Sequence, residues 1–566
     1  MTSRILDLSQ LFRRLERLYG SLAEIYLSKI VDLIQKHSAD APAGLGWSQN
    51  DVVLITYGDQ VQADSEPPLA TLHRFLTENH LDPLINTVHL LPFCPYSSDD
   101  GFSVIDYRQV DPNLGGWDDI ERLGTDCGLM FDLVLNHISS QSDWFQSYLK
   151  GEEPYSRFFI ECEPDADLSA VIRPRSLPLL TRFQTDRGER FVWTTFSADQ
   201  IDLNFSNPDV LIEMLDVLLL YASRGARIVR LDAIAYLWKS VGTNCIHLEQ
   251  THELVKLMRD VLEATHPNVL ILTETNVPHR ENVSYFGDGD EAQMVYQFSL
   301  PPLLLDAFVN KDPTPLRSWL SQLEPPCPGT TYFNFTASHD GIGVRPLEGL
   351  IEPQRLQTLV DHVHRRGGQV STKANSDGAN SPYELNIAYV DAIGEAGLSD
   401  ESHAHRFLAC QAVMLALQGI PGIYFHSLVG SRNDLEGMKE SNQPRRINRH
   451  KYALPDLQQR LSNDMLQHHI FEGYQELLGL RQQHTAFHPD AQQSVIDSNH
   501  PELLAFTRTS VDESDLILCI TNFGEAPISI DLTLLSRQAF SKDLISRTAT
   551  QEGVYSLPPG TTAWLT

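Results

Sequence analysis

Short apolar runs that recur along the chain are the feature that most constrains its fold. Each run is followed by a loop and then by a helical pattern, and the eight runs cover residues 51–57, 85–92, 127–137, 226–233, 268–275, 294–300, 331–340 and 419–425. Near-continuous apolar strands that alternate with helices are typical of a parallel sheet whose two faces are both covered. Eight such units predict an α/β fold of the (β/α)8 TIM barrel type.

Two departures from this regular spacing predict additional domains. Nearly ninety residues separate the third run from the fourth, which is too long for a plain loop. After residue 490 the pattern changes to short alternating runs such as "LLAFTRT" and "LILCITNF", which are typical of antiparallel strands. We therefore expect a barrel over 51–138 and 201–490, an inserted subdomain over 139–200 after strand 3, a small C-terminal β domain over 491–566 and a helical extension over 1–50.

The charge of the chain excludes some classes of partner. Lys and Arg number 43 against 74 Asp and Glu, which gives a net charge of -31. Nucleic-acid binding needs clustered cations to contact phosphates, so we expect no nucleic-acid partner. The acidity is that of a well-solvated surface, or of one adapted to a salty environment.

Cysteine usage and apolar segments bear on the compartment. The seven cysteines are scattered and lack the spacing of metal ligands or of a disulfide framework, so we expect a reducing cytoplasm. The first twenty residues alternate apolar and charged residues at helical spacing, which predicts an amphipathic helix rather than a signal peptide. The most apolar stretch, 409–425, is interrupted by Gln, Gly and Pro, so we expect a buried helix and strand and no membrane partner.

Three carboxylates stand at the ends of predicted barrel strands: Asp232, Glu274 and Asp340. Barrel closure brings the carboxyl ends of all strands to one face, where such barrels carry their active sites. A single Asp at a strand end is usually a helix cap or a salt-bridge partner. Three acids with charged or imidazole neighbours favour catalysis, and paired carboxylates suit glycosyl transfer.

The motifs "DLVLNH", "ARIVRLDA", "ILTET" and "NFTASHDGIG", in this order, resemble the four core motifs of the α-amylase superfamily (glycoside hydrolase family 13). Within it, "HLLPFCPYSSDDGFSVIDY", "GTNCIHLE", "FSLPPLLLDA" and "RRINRH" resemble the sucrose phosphorylase subfamily. Those enzymes move a glucosyl unit reversibly between an acceptor alcohol and phosphate. The N-terminal extension and "SPYELN" are most similar to the glucosylglycerol and glucosylglycerate phosphorylases of that subfamily.

The resemblance implies a role for each matching residue. Asp232 would be the nucleophile, Glu274 the general acid/base and Asp340 the stabiliser of the transition state. The residues implied to bind glucose are Asp100, Phe102, His137, Arg230, His339 and Arg445. Among these, Arg230 would orient Asp232 and keep it ionised. Asp100 and Arg445 would both hold the 4-hydroxyl of glucose and close its pocket.

Residues implied to bind the acceptor or phosphate are Arg175, Tyr236, Asn276, Tyr383 and Glu384. Arg175 matches a phosphate-binding position, and a guanidinium suits bidentate phosphate binding. Sucrose-using members carry Gln at the position of Glu384 and His at that of Asn276. Fructose is therefore disfavoured as the acceptor.

Glycerol and glycerate differ by one carboxylate. Glu384 would repel a carboxylate, and Lys373 is the one cation of the acceptor loop, so the sequence favours glycerol. The expected reaction is 2-O-α-D-glucosylglycerol plus phosphate giving α-D-glucose 1-phosphate and glycerol. Glucosylglycerate phosphorylase is the first alternative, followed by sucrose or sucrose 6-phosphate phosphorylase and by a hydrolase of the same superfamily.

The remaining expectations concern cofactors and assembly. No oxygen-rich loop has the spacing of a calcium site, so we expect no metal and no cofactor, with inorganic phosphate as co-substrate. The expected partners are a small glucoside, phosphate and a glycerol-like acceptor, and a homodimer remains open beside a monomer. A non-catalytic carbohydrate-binding relative would lack one of the three acids, and all three are present.

Overall fold

A closed barrel of eight parallel strands forms the centre of the molecule in the computed structural model, which describes residues 7–37, 46–174, 177–374 and 380–566. The strands are β1 (Val53–Thr56), β2 (Thr87–Leu90), β3 (Gly128–Val134), β4 (Ala226–Asp232), β5 (Leu270–Thr273), β6 (Met294–Tyr296), β7 (Thr331–Phe335) and β8 (Ile420–Tyr424). Each strand pairs with the next, and β8 pairs with β1. The predicted TIM barrel is confirmed, and every predicted run contains one barrel strand.

The register of the strands brings their carboxyl ends together. On β4, Arg230 lies opposite Asp132 of β3, and Asp232 lies opposite Val134. Leu231 of β4 lies opposite Thr273, the last residue of β5. The polar groups that follow these strands therefore meet at one mouth of the barrel.

Helices surround the barrel and cover the outer faces of its strands. Between β1 and β6 they are Pro68–Glu78, Trp117–Leu123, Pro208–Ser223, Glu249–Thr265 and His279–Val283. After β6 they are Leu300–Asn310, Thr314–Gln322, Pro353–Arg365, Tyr389–Ile393 and Asp400–Ala416, and after β8 Phe425–Leu428, Leu435–Ser441, Leu454–Asn463 and Met465–Gln482. Among the described residues, no helix has the length and apolar character needed to cross a membrane.

Two helices precede the barrel, Leu8–Tyr19 and Ala23–His37, and the predicted amphipathic helix is the first of them. They pack against the helices Pro208–Ser223 and Glu249–Thr265. Leu11 and Leu15 are buried one turn apart, and Arg14 beside them donates to Asp260 at 2.6 Å. This part of the chain therefore lies on the outside of the barrel wall.

Four small sheets lie in the loops that connect the barrel strands and helices. Between β3 and β4, His137–Ser139 pairs with Gln200–Asp202, and Leu180–Thr185 forms a hairpin with Gly188–Trp193; the helix Asp143–Lys150 lies between them in sequence. After β7, Asn380–Asn386 pairs with both Ile342–Gly343 and Gln369–Ala374. Val61–Gln62 pairs with Tyr452–Ala453.

The C-terminal part is built of antiparallel strands, as its alternating sequence predicts. Gln492–Ile496, Leu503–Thr509, Leu516–Asn522 and Thr562–Leu565 form one sheet, and Ile528–Asp531 pairs with Val554–Leu557. Leu503, Ile520 and Leu557 belong to a separate apolar cluster there. The predicted domain boundaries stay predictions, although each predicted region contains the type of element expected.

Candidate active site

A pocket lies at the carboxyl ends of the barrel strands, and eleven of the fourteen predicted site residues line it. They are Phe102, His137, Asp232, Tyr236, Glu274, Asn276, His339, Asp340, Tyr383, Glu384 and Arg445. Arg230 lies beneath Asp232, and Asp100 lies beside Phe102 in sequence, without lining the pocket. Arg175 falls outside the described residues.

We name two halves of the pocket by the roles predicted for their residues. The glucose half comprises Asp100, Phe102, His137, Arg230 and His339, together with Arg449, which donates to Asp100. The acceptor half comprises Tyr236, Asn276, Tyr383 and Glu384. The three carboxylates Asp232, Glu274 and Asp340 lie between the two sets.

Backbone geometry sets Asp232 and Glu274 beside one another. The Glu274 N–H donates to the carbonyl of Leu231 at 3.1 Å, which continues the pairing of β5 with β4. Ala233 follows Asp232 in the left-handed region with φ 51°, so the chain turns sharply after the strand. The Ala233 N–H donates to Glu274 Oε2 at 3.1 Å. The turn thus holds the second carboxylate against the end of the strand that carries the first.

Arg230 is held between two carboxylates in the barrel core. It donates to Asp232 Oδ1 at 2.8 Å and also to Asp132, which accepts from His89 Nε2 at 2.7 Å on its other oxygen. Burial raises the pKa of Asp232 well above its usual range, and the charge of Arg230 opposes this without reversing it. The contact agrees with the prediction that Arg230 orients Asp232, and the charge of Arg230 lowers the pKa of Asp232 as expected, although burial has the larger effect.

Asp232 and Glu274 differ in the groups that donate hydrogen bonds to them. Burial raises the pKa of both carboxyl groups, and their mutual repulsion raises that of Asp232 further. Asp232 accepts from a guanidinium, whereas the donor to Glu274 is a neutral backbone N–H. A hydrogen bond from a cation stabilises a carboxylate more than one from a neutral donor. The negative charge is therefore better placed on Asp232 and a proton on Glu274.

Asp340 stays ionised because two arginines flank it. Arg445 reaches Asp340 Oδ1 at 2.6 Å, and Arg449 lies at 3.8 Å from the same oxygen. Burial raises the pKa of Asp340, but the nearby charges, Arg445 first, bring it well below its usual value. Arg445 also donates two hydrogen bonds to Glu384, from Nη2 to Oε1 at 2.8 Å and from Nε to Oε2 at 3.1 Å.

Asp100 and Arg445, predicted to hold one glucose hydroxyl together, have different ionic partners in the structure. Asp100 accepts from Arg449 at 2.7 Å, while Arg445 is engaged by Asp340 and Glu384. Burial raises the pKa of Asp100, yet the charge and hydrogen bond of Arg449 lower it overall. The backbone of Asp100 has φ 48°, a strained conformation for a residue with a side chain, and such strain is common at functional sites.

Phe102 and His339 form a flat apolar wall of the glucose half. Their rings stack with centroids 4.7 Å apart and an angle of 5° between the planes. Burial lowers the pKa of His339 to about 3, so the imidazole is neutral near pH 7. His137 Nε2 donates to the carbonyl of Phe102 at 2.8 Å, and burial lowers the pKa of this imidazole too. Both histidines therefore act as neutral hydrogen-bonding groups.

The acceptor half is formed by loops after β4, β5 and β7. Tyr236 lies on the turn after Asp232, and Gly343 packs against Asn276 so closely that an added Cβ would lie 2.6 Å from the amide. The Val344 N–H donates to the carbonyl of Tyr383 at 3.1 Å, which ties the strand Asn380–Asn386 to the loop after β7. Lys373, the cation expected near the acceptor, instead pairs with Glu348 at 3.2 Å.

Some residues of the site were missed by sequence reasoning. Arg449 lies in "RRINRH", but nothing in the sequence distinguishes it from Arg445 as the partner of Asp100. Gln200 lines the pocket and donates to the carbonyl of Phe102 at 3.2 Å, although it is the last residue of the predicted inserted subdomain and lies far in sequence from any core motif. Arg345 adjoins Tyr236 from the loop after β7, and its place directly after "HDGIGV" is the signal that could have found it.

A (β/α)8 barrel with three carboxylates in one pocket, one beside an arginine and one placed to carry a proton, defines a class of glycoside-acting enzymes. A family described as alpha amylase, catalytic domain, matches residues 83–325. A glucosylglycerate phosphorylase of Allomeiothermus silvanus is 48% identical over 90% of this chain and 91% of that protein, and one of Escherichia coli is 42% identical over 97% and 98%. The chain belongs to the α-amylase family, and within it to the phosphorylases.

More distant proteins complete the comparison. A glucosylglycerol phosphorylase of Marinobacter adhaerens is 29% identical over 74% of this chain and 85% of that protein. The crystal structure of a sucrose 6F-phosphate phosphorylase from Thermoanaerobacter thermosaccharolyticum has a TM-score of 0.73 and 27% identity over 85% of this chain and 95% of that one. The similarity to proteins named for glycerate is thus greater than to the one named for glycerol.

Proposed function

We propose that this phosphorylase uses glycerate as its glucosyl acceptor: 2-O-α-glucosylglycerate plus phosphate gives α-glucose 1-phosphate plus glycerate. The observation that carries the proposal is the similarity of 42% and 48%, over nine tenths or more of the chain, to proteins named glucosylglycerate phosphorylase. The proposal replaces the glucosylglycerol reaction that the sequence favoured.

The contacts of Glu384 weaken the electrostatic reason for preferring glycerol over glycerate. This carboxylate is 3% exposed and both of its oxygens accept from Arg445. A carboxylate held in this way by a guanidinium presents little net charge to a ligand. The repulsion expected between Glu384 and an acceptor carboxylate is therefore largely cancelled.

In the proposed mechanism, the glucosyl unit is transferred twice. Asp232 attacks the anomeric carbon while Glu274 donates its proton to the leaving oxygen of glycerate, and a covalent glucosyl ester on Asp232 results. Asp340, kept ionised by Arg445, stabilises the positive charge that develops on the sugar ring. Phosphate then attacks the anomeric carbon from the face that glycerate left, and the bond to Asp232 breaks. Glu274 takes up the phosphate proton, and α-glucose 1-phosphate leaves with retained configuration.

Phosphate is proposed as a co-substrate, with no cofactor or metal. Pro174, directly before Arg175 in the chain, lines the pocket. This position supports the role of Arg175 in phosphate binding that the sequence implies.

The direct test follows the fate of glucosylglycerate. We expect the purified protein to consume 2-O-α-glucosylglycerate only when phosphate is present and to form α-glucose 1-phosphate and glycerate in equal amounts. Phosphate-independent release of free glucose would contradict phosphorolysis. Inertness of glucosylglycerate beside rapid turnover of glucosylglycerol or sucrose would contradict the proposed acceptor alone.

A further inference from the structure

Arg345, which has no carboxylate closer than 3.6 Å among the described residues, lies beside the acceptor half. Among the described residues around it, Arg445 is engaged by Asp340 and Glu384, and Lys373 by Glu348 at 3.2 Å. The guanidinium of Arg345 has Glu281 at 3.6 Å, and the Glu281 side chain is 44% exposed. A partner at this distance and exposure neutralises a guanidinium much less than a buried bidentate one.

Arg345 is fixed in place by the loop that carries it. It is the first residue of a short 3₁₀ helix, Arg345–Leu347, and the preceding Val344 donates to the carbonyl of Tyr383. Two residues before it, Gly343 packs against Asn276. Arg345 therefore stands next to two residues of the acceptor half, and its side chain is only 12% exposed.

Its side chain also adjoins a third residue of the acceptor half. Burial raises the pKa of Tyr236 to about 12, and the charge and hydrogen bond of Arg345 oppose this rise. The Arg345 side chain thus lies near Tyr236, which lines the pocket together with Glu274, while Arg345 itself lies behind this lining.

We propose that Arg345, together with the Tyr236 hydroxyl, binds the carboxylate of the acceptor and so determines its identity. This rests on the proposed function. In glucosylglycerate the carboxylate is attached to the carbon that bears the glycosidic oxygen, so it must lie close to Glu274, which protonates that oxygen. Arg345 adjoins Tyr236 on this side of the pocket, and a guanidinium offers the paired donors that a carboxylate accepts best. Asn276, whose buried Oδ1 lacks a hydrogen-bond partner among the described residues, is placed to accept from an acceptor hydroxyl.

The test compares two acceptors with a donor that contains no phosphate. α-Glucosyl fluoride forms the glucosyl enzyme and leaves the acceptor half without an anion, after which glycerate or glycerol takes the glucosyl unit. For Arg345→Gln we expect kcat/KM for glycerate to fall on the order of 100-fold. With glycerol it should change less than about threefold, since glycerol has no group for the guanidinium to pair with.

Two further variants keep the test decisive if Arg345→Gln folds poorly. Arg345→Lys retains the charge without the paired donors, so an intermediate loss with glycerate is expected. Glu281→Gln removes the competing carboxylate and should lower KM for glycerate. Arg280→Gln, which removes an exposed cation next to Glu281 in sequence, is the matched control and should leave both acceptors unchanged.

Each result bears on one claim. Equal losses with glycerate and glycerol, or unchanged use of glycerate by Arg345→Gln, would overturn the role of Arg345 and leave the proposed function intact. A wild-type enzyme that fails to use glycerate would refute the proposed function before any variant is compared.

Discussion

The two halves of the pocket differ in how their charges are held. In the glucose half, Arg230 and Arg449 are buried and each contacts a buried or partly buried carboxylate at 2.8 Å or less. In the acceptor half, the nearest carboxylate to Arg345 lies at 3.6 Å and is partly exposed. A buried arginine that is closely paired with a carboxylate has little charge available for a ligand. A loosely paired arginine can instead exchange its carboxylate partner for one on a ligand. The glucose half is thus suited to one fixed sugar, and the acceptor half to selection among acceptors.

The largest expected effect comes from the carboxylate shared by both halves. Asp232→Asn should lower kcat by at least about 10⁴-fold with every acceptor, because no covalent ester can form. The measurement is phosphate release from α-glucose 1-phosphate. An unchanged melting temperature, together with retained binding of α-glucose 1-phosphate by calorimetry, would assign the loss to chemistry. Substantial residual turnover would contradict the role of Asp232.

The next prediction tests whether the glucose half acts on all acceptors alike. Arg449→Met leaves Asp100 without its 2.7 Å partner, so kcat/KM should fall on the order of 100-fold. Glycerate and glycerol should lose the same factor within about twofold, in contrast to the selective loss expected at Arg345. The exposed Arg460→Met serves as the control. A change in the ratio of kcat/KM for glycerate to kcat/KM for glycerol would contradict the division between the two halves.

A third prediction concerns the stability that the buried network provides. Burial raises the pKa of Asp132, but Arg230 and His89 bring it down to about 2 from an ordinary 3.8. Because the folded value lies below the unfolded one, this carboxylate stabilises the fold above about pH 4, and that stability is lost as the pH falls toward 2. The loss should be about 2 kcal/mol.

Thermal unfolding between pH 5 and pH 2 measures this effect. Asp132→Asn should lower the melting temperature at neutral pH, because it leaves Arg230 with a weaker partner, and should flatten the decline at acid pH. A variant that declines as steeply as the wild type would show that other carboxylates account for the acid sensitivity.

The smallest effect is expected at Lys373. Its ammonium pairs with the half-exposed Glu348, so Lys373→Met should change KM for glycerate less than about twofold. Steady-state kinetics with glycerate provide the measurement. A tenfold rise in KM would indicate that the acceptor carboxylate binds near Lys373, on the strand Gln369–Ala374, and not at Arg345.

The barrel could be predicted from sequence because it depends on local patterns. Each strand is a continuous apolar run followed by a helix. Because the carboxyl ends of parallel strands meet at one face of the barrel, the proximity of Asp232, Glu274 and Asp340 could be predicted from the sequence alone. The core motifs then supplied their roles by resemblance.

The pairing of charges could not be predicted in the same way. Whether Asp100 contacts Arg445 or Arg449 depends on how one short 3₁₀ helix, Pro444–Asn448, directs neighbouring side chains. The sequence shows Glu384 as a negative charge, and the contact with Arg445 that largely cancels it joins residues 61 positions apart. The sequence therefore favoured glycerol, whereas the proposed acceptor is glycerate.

A competition between two acceptors tests the central claim most directly. The wild-type enzyme is given α-glucose 1-phosphate with equal concentrations of glycerate and glycerol, and the products are separated and quantified at low conversion. We expect glucosylglycerate to exceed glucosylglycerol by at least about tenfold, as one charge-assisted contact implies. An excess of glucosylglycerol, or free glucose as the main product, would contradict it.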